Sequence, residues 1–441
     1  MSRSVDWFLG ARMKSKFLII AVFSLVGIAL LLSHNYMILT AYAISLVVLE
    51  IISFALVKHF RKDFPWLITP EDDFPELSKD GLKKFIEHGY DPELGWVRKP
   101  GTGKEEIGKF GKSRYNIDKS GSRKNPGHEK LPKKISFYGD SFIFGRQVND
   151  NETCQWYLSE LTKTNVTNFS VGNYGLDQAL LRLKREYRKN RTKVVVMGVV
   201  PSTIVRILSV WKHYNEFGNT FGFKPRFIIE KGKLKLIRNF IDSEGKFSRY
   251  RQYLPEIRKY DYFYNAKFKK EMIRFPYFIS LISDPFRNIP LICLILKNKV
   301  IDRKDKLQAY PAPMKVIMDI NLKLRRRIFE KDKESVRLLE ELIGEFSRYA
   351  KSKKFVPVFL LMPQKDDLLL IRDREKEYYR AFISRIRKKL DVIDLTEDLV
   401  SRDDLDEIFS DDTKYGGHYS RFGNELVAGI LYEKLKEKRI I

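Results

Sequence analysis

Two long apolar runs, residues 17–33 and 37–57, open the chain and are separated only by His34, Asn35 and Tyr36. Each run approaches the ~20 residues that a helix needs to cross a bilayer. The short polar break leaves room only for a tight turn. The pattern therefore predicts a transmembrane helical hairpin over residues 1–62, with Glu50 turned toward the first helix. Residues 63–132 lose this character and read as a linker and β-rich lead-in, punctuated by Gly, Pro and Lys. From residue 133 onward, short apolar strands alternate with amphipathic helices. Strands are expected at 135–138, 166–169, 194–199, 356–362 and 392–395, and helices at 153–162, 178–188, 335–351, 374–390 and 426–438. Such alternation predicts an α/β domain, residues 133–441, with a three-layer parallel sheet. An insertion at about 206–334 interrupts it, carrying a hairpin over 226–237 and an apolar stretch, 275–296, broken by prolines. That stretch reads as a lid, either buried or dipping into the membrane.

Charge changes the picture in one respect. The formal net charge is +26 over 441 residues, but the Lys and Arg residues are spread from end to end without any nucleic-acid-binding signature. An anionic membrane surface fits this distribution better than DNA or RNA. Basic residues flank both outer ends of the hairpin, whereas its turn has none, which places both ends and the soluble domain in the cytoplasm. The two cysteines, Cys154 and Cys293, give neither a disulfide framework nor a metal-ligand spacing. No cofactor-binding motif is present.

The candidate chemistry begins at Gly139-Asp140-Ser141, a turn directly after a predicted strand and hence at the carboxyl edge of the sheet. A serine hydroxyl needs a base to become a nucleophile. Of six histidines, His34 and His59 belong to the hairpin, His88 and His128 to the lead-in and His213 to the insertion. His418 remains, in a glycine-rich loop just ahead of the closing helix. The turn Val171-Gly172-Asn173-Tyr174-Gly175 follows another strand of the same sheet. Its amides, with that of Ser141, can hold an oxyanion. Asp140, Arg206 and His213 are candidates for contacting an anionic substrate, in a group that also includes Trp211, Lys224 and Arg226.

These blocks resemble the SGNH or GDSL-type hydrolases. Gly139-Asp140-Ser141 looks like that family's nucleophile block, Asn168 to Gly175 like its second block, and His418 to Asn424 like its terminal block. The lead-in is similar to the segment preceding this domain in bacterial membrane-associated members. The resemblance implies an esterase of the bacterial inner membrane, with an ester of a surface glycan or glycolipid as substrate. An O-acyltransferase of the same chemistry, or an inactive scaffold of envelope-polysaccharide assembly, are its alternatives. Two departures stand out. The family's third block supplies a side-chain asparagine, but residues 197–202 contain none, and Asn173 is the available substitute. The family's acid lies two or three residues before the histidine, where this chain has Gly416 and Tyr415. Asp411 or Asp412 would have to fold back to orient His418, or a backbone carbonyl would do so.

Overall fold

The computed structural model describes residues 3–61, 66–300, 311–374, 377–411 and 416–441. They form two compact units. The first comprises residues 1–78, 211–222 and 248–321, the second residues 79–210, 223–247 and 322–441. The expected insertion is thus not one piece, because residues 223–247 belong to the unit that carries the sheet. A physical reason is Lys224, whose buried ammonium pairs with the buried Asp177 at 2.5 Å and reaches the carbonyls of Arg206 and Ser209.

In the first unit, helices α1 (Arg3–Leu32) and α2 (Tyr36–Arg61) are joined by a tight turn, and the Tyr42 hydroxyl donates to the Phe23 carbonyl. α2 is long and apolar enough to cross a membrane, while the apolar part of α1, Lys16–Leu32, is shorter. Glu50 does not turn to α1 for its partner. Its carboxylate accepts the N–H groups of Tyr277 and Phe278, at 2.6 and 2.9 Å, at the start of the short helix Tyr277–Ile282. A carboxylate satisfies the orphan donors of a helix N-terminus and complements its dipole, which offsets the cost of an acid within an apolar run.

The second unit opens with the helix Lys79–His88 and continues with two small antiparallel hairpins, β1 (Tyr90–Asp91) with β2 (Gly95–Trp96), and β3 (Gly103–Gly108) with β4 (Gly111–Asn116). There follow β5 (Lys133–Gly139), α3 (Ser141–Phe144), α4 (Cys154–Thr162), β6 (Asn165–Asn168), α5 (Leu176–Glu186) and β7 (Val194–Val199). The hairpin β8 (Arg226–Glu230) and β9 (Lys233–Ile237) precedes α6 (Lys333–Lys353), β10 (Val356–Leu361), β11 (Asp391–Asp394) and α7 (Arg421–Glu437). The helix expected over 374–390 is replaced by Lys365–Arg374 and Arg380–Ile386, the first opening where Asp367 accepts the Gln364 N–H.

Five strands make one parallel sheet in the order β11-β10-β7-β5-β6. The runs Val194–Val199 and Val356–Leu361 form central strands because their aliphatic side chains are wanted on both faces of a covered parallel sheet. Helices α4 and α7 pack together, as do α5 and α6. On the α4/α7 side, Ile135, Phe137, Val194, Val196, Val358 and Leu360 meet Leu158, Val427 and Leu431 in one core. The chain leaves β5 for β6 on one side and then crosses to β7 on the other. The order therefore reverses between β5 and β7, where open α/β sheets leave a crevice at their carboxyl ends. Ser141 lies there.

Candidate active site

The nucleophile turn is built by two facing glycines. Gly139, at φ 154°, pairs with Gly198 across β5 and β7, and a Cβ on Gly139 would stand 1.8 Å from the Gly198 carbonyl oxygen. A Cβ on Gly198 would lie 2.8 Å from Ile143 Cβ. Bare backbone at both positions lets α3 sit directly on the sheet. Ser141 takes the first helical position, so its N–H has no intrahelical acceptor.

Asp140 and Arg206, both expected to contact substrate, contact each other. Asp140 is buried: Oδ1 accepts the Phe142 N–H at 2.9 Å, and Oδ2 accepts the Val200 N–H at 3.0 Å and Arg206 Nη1 at 3.1 Å. Burial raises its pKa, with the Arg206 charge opposing. The carboxylate is engaged as a helix cap and strand tie, while Arg206 Nη1 is shared between it and the Tyr174 carbonyl at 3.2 Å. His213 lies in the other unit. Its Nε2 donates to the Asp72 carbonyl at 2.7 Å and its Nδ1 accepts the Gly218 N–H, so both ring nitrogens are engaged. Burial lowers its pKa to about 4, and it is a neutral packing residue rather than a substrate contact.

Gly172 lies against the serine. A Cβ placed on it would be 4.0 Å from Ser141 Cβ, and its N–H has no acceptor among the described residues. Asn173 beside it adopts left-handed backbone, φ 68°. The turn is held from the lead-in, since Trp96 Nε1 donates to the Gly172 carbonyl at 2.9 Å and Tyr174 donates to the Trp96 carbonyl. The C-terminal end of α3 is tied in the same way. Asn168 donates to the Ile143 carbonyl at 2.7 Å, and the buried Arg123 donates to the carbonyls of Phe144 and Val148 while pairing with Asp150.

His418 is half-buried, its ring 5.0 Å from that of Phe142, the residue next to Ser141. Its Nδ1 meets neither Asp411 nor a backbone carbonyl. The partner is Gln147 Oε1 at 2.9 Å. Asp412 lies outside the described residues. The orientation of the Gln147 amide follows from its neighbours: Nε2 donates to the Ile107 carbonyl, and Oε1 receives the Ser410 hydroxyl at 2.7 Å and the His418 backbone N–H at 3.2 Å. An amide oxygen only accepts, so Nδ1 carries the proton and Nε2 keeps its lone pair. Gln147 itself sits at φ 64°, and its N–H donates to Glu106 Oε2 at 2.9 Å. Glu106, on β3, also accepts from Arg146 at 2.8 Å. Burial pushes its pKa up, but Arg146 and the Gln147 amide bring it net below the usual value.

Burial depresses the His418 pKa to about 3, and the charges of Arg146 and Arg206 add to this against the opposing pull of Glu106. The imidazole is therefore neutral across the physiological range. Ser141 Oγ and His418 Nε2 make no hydrogen bond among the described residues, and such pairs commonly tighten only around substrate. Gln147, Glu106, Arg146, Trp96 and Arg123 help build the site and were not singled out for it from the sequence. The signals were the resemblance of the lead-in, which carries Trp96 and Arg123, and the closeness of Arg146 and Gln147 to the nucleophile block.

No protein-family model and no curated protein matches the chain. Among solved structures, it is similar to a lipase/acylhydrolase from Enterococcus faecalis, with a TM-score of 0.32 and 14% identity over 70% of this chain and 97% of that one. It is also similar to the acetyl xylan esterase AlAXEase, with a TM-score of 0.34 and 10% identity over 68% and 99%. A third is the psychrotrophic esterase EstA from Pseudoalteromonas sp., at 0.30 and 8% over 69% and 97%. At that level of likeness the side chains of the site, rather than its neighbours, have to carry the chemistry.

Proposed function

We propose that this chain is a membrane-anchored serine esterase in which Ser141 is the nucleophile and His418 the base. The observation that carries the reading is His418 beside the nucleophile turn, its ring 5.0 Å from that of Phe142, its Nδ1 proton fixed on Gln147 and its Nε2 left as an acceptor. In the reaction, Nε2 takes the Ser141 proton as Oγ attacks an ester carbonyl. The N–H groups of Ser141 and Gly172, with Asn173, hold the developing oxyanion. His418 then returns the proton to the leaving alkoxide. Water, deprotonated by His418, releases the acid; a sugar hydroxyl in its place would give acyl transfer instead. Gln147 takes the orienting role that Asp411 and Asp412 were expected to fill.

The substrate class proposed is an acyl ester of a surface glycan or glycolipid, in keeping with an apolar α2 and an excess of basic charge suited to an anionic bilayer surface. The anchor is assigned to the bacterial inner membrane, with the sheet-bearing unit on the cytoplasmic side. A fluorophosphonate probe tests the chemistry. The full chain in detergent should label and hydrolyse an aryl acetate, whereas Ser141→Ala should do neither and His418→Ala should label at least about 100-fold more slowly. Labelling of Ser141→Ala equal to wild type would make the chain a scaffold rather than an enzyme.

A further inference from the structure

We infer that Arg98 forms an anion subsite beside Ser141, so that the favoured ester carries a carboxylate or phosphate a few bonds from its carbonyl. The inference rests on Ser141 as nucleophile and adds to it the chemistry of the substrate. Its geometry comes from a single point, the position of a Cβ on Gly172. Arg98 Nη2 lies 3.5 Å from that point and Ser141 Cβ 4.0 Å from it, so the guanidinium borders the space in which the ester carbonyl must sit.

Charge balance singles Arg98 out. Around the site Arg146 pairs with Glu106, Arg206 with Asp140, Arg123 with Asp150 and Lys224 with Asp177. Arg98 has no carboxylate and no hydrogen-bond acceptor among the described residues, and its Nε is buried without a partner. A half-buried cation left uncompensated is a cost to the fold, and one that an incoming anion removes. The group is also held in place. It lies over the Tyr115 ring, 5.3 Å from the centroid, and two residues earlier Trp96 is bonded to Gly172. A planar guanidinium held over a ring presents its fork for bidentate capture of a carboxylate or phosphate.

Two measurements on the full chain in detergent test this. The first compares nitrophenyl acetate with nitrophenyl hemisuccinate, which adds a carboxylate to the acyl group. Wild type should favour the hemisuccinate by about tenfold or more in kcat/KM, mainly through KM, and Arg98→Leu should bring the ratio near one with Arg98→Lys between them. A ratio that Arg98→Leu does not move overturns the subsite. So does an equal loss on both esters through kcat, which would make Arg98 an oxyanion donor. The second needs no turnover: calorimetric titration of the Ser141→Ala chain with succinate and with inorganic phosphate. Saturable binding that Arg98→Leu weakens about tenfold is expected, and the tighter anion identifies the class. Binding indifferent to Arg98 refutes the subsite even where Ser141 labels. Arg98-dependent binding in a chain whose Ser141 fails to label refutes the esterase reading alone.

Discussion

Gln147 gathers three donors on one amide oxygen: the Ser410 hydroxyl, the His418 backbone N–H and His418 Nδ1. A carboxylate there would hold the same tautomer and also stabilise the imidazolium that forms during proton transfer. The amide does only the first. Replacing it separates the two effects. Gln147→Glu should raise the His418 pKa from about 3, since a nearby negative charge favours the protonated ring, and the acid limb of kcat/KM should move to higher pH. A pH–rate profile on an aryl ester reads this directly, and an unmoved limb would remove Gln147 from the orienting role. Ser141 and His418 could be singled out as candidates from the sequence because one follows a strand and the other is left over after the remaining histidines are placed. Gln147 was not. Its contact spans 271 positions and depends on a left-handed backbone that a glutamine gives no sign of adopting.

At the scale of elements, the closeness of α3 to the sheet depends on Gly139 and Gly198 facing each other with Ile143 above them. Gly198→Ala would press a methyl into Ile143 and should cost roughly 1–3 kcal/mol, as overpacking of a core usually does, while slowing probe labelling of Ser141. The double variant Gly198→Ala/Ile143→Ala, measured by thermal unfolding, should show coupling between the two sites rather than simple addition of their costs. The strands themselves were readable to within a residue or two. Short, β-branched-rich apolar runs such as Val194–Val199, too short for a helix, favour buried strands. The hairpin β3–β4 was not readable as a part of the site, because Glu106 stands in the polar stretch Gly103–Gly108, where nothing distinguishes a surface acid from one that is 6% exposed. The division of the insertion was hidden for a similar reason, since the Asp177–Lys224 pair is visible only once the chain has folded.

In each of the two units burial lowers the pKa of one histidine. His213 is held at about 4 and His418 at about 3, against 6.5 for the free ring. Below pH 6.5 the unfolded chain binds protons that these folded sites refuse, so their contribution is full above 6.5 and is lost as the pH falls toward the folded values. Glu377, raised to about 7 chiefly by burial, acts with the opposite sign, because its protonated form is favoured in the fold as the pH drops. A whole-chain melting curve therefore mixes the two. His213→Gln isolates one: between pH 6.5 and about 4, the wild type should lose about 1.4 kcal/mol per pH unit more than the variant. Equal slopes in denaturant titrations would contradict the assignment. The lead-in has a consequence for dissecting the protein. A recombinant fragment cut at the first strand of the large sheet would keep Ser141 and His418 but discard Trp96, Arg98, Glu106 and Arg123. The smallest piece worth transplanting or trimming to begins near residue 79, and a chimera joined later should retain the strand order while losing the alignment of its own serine.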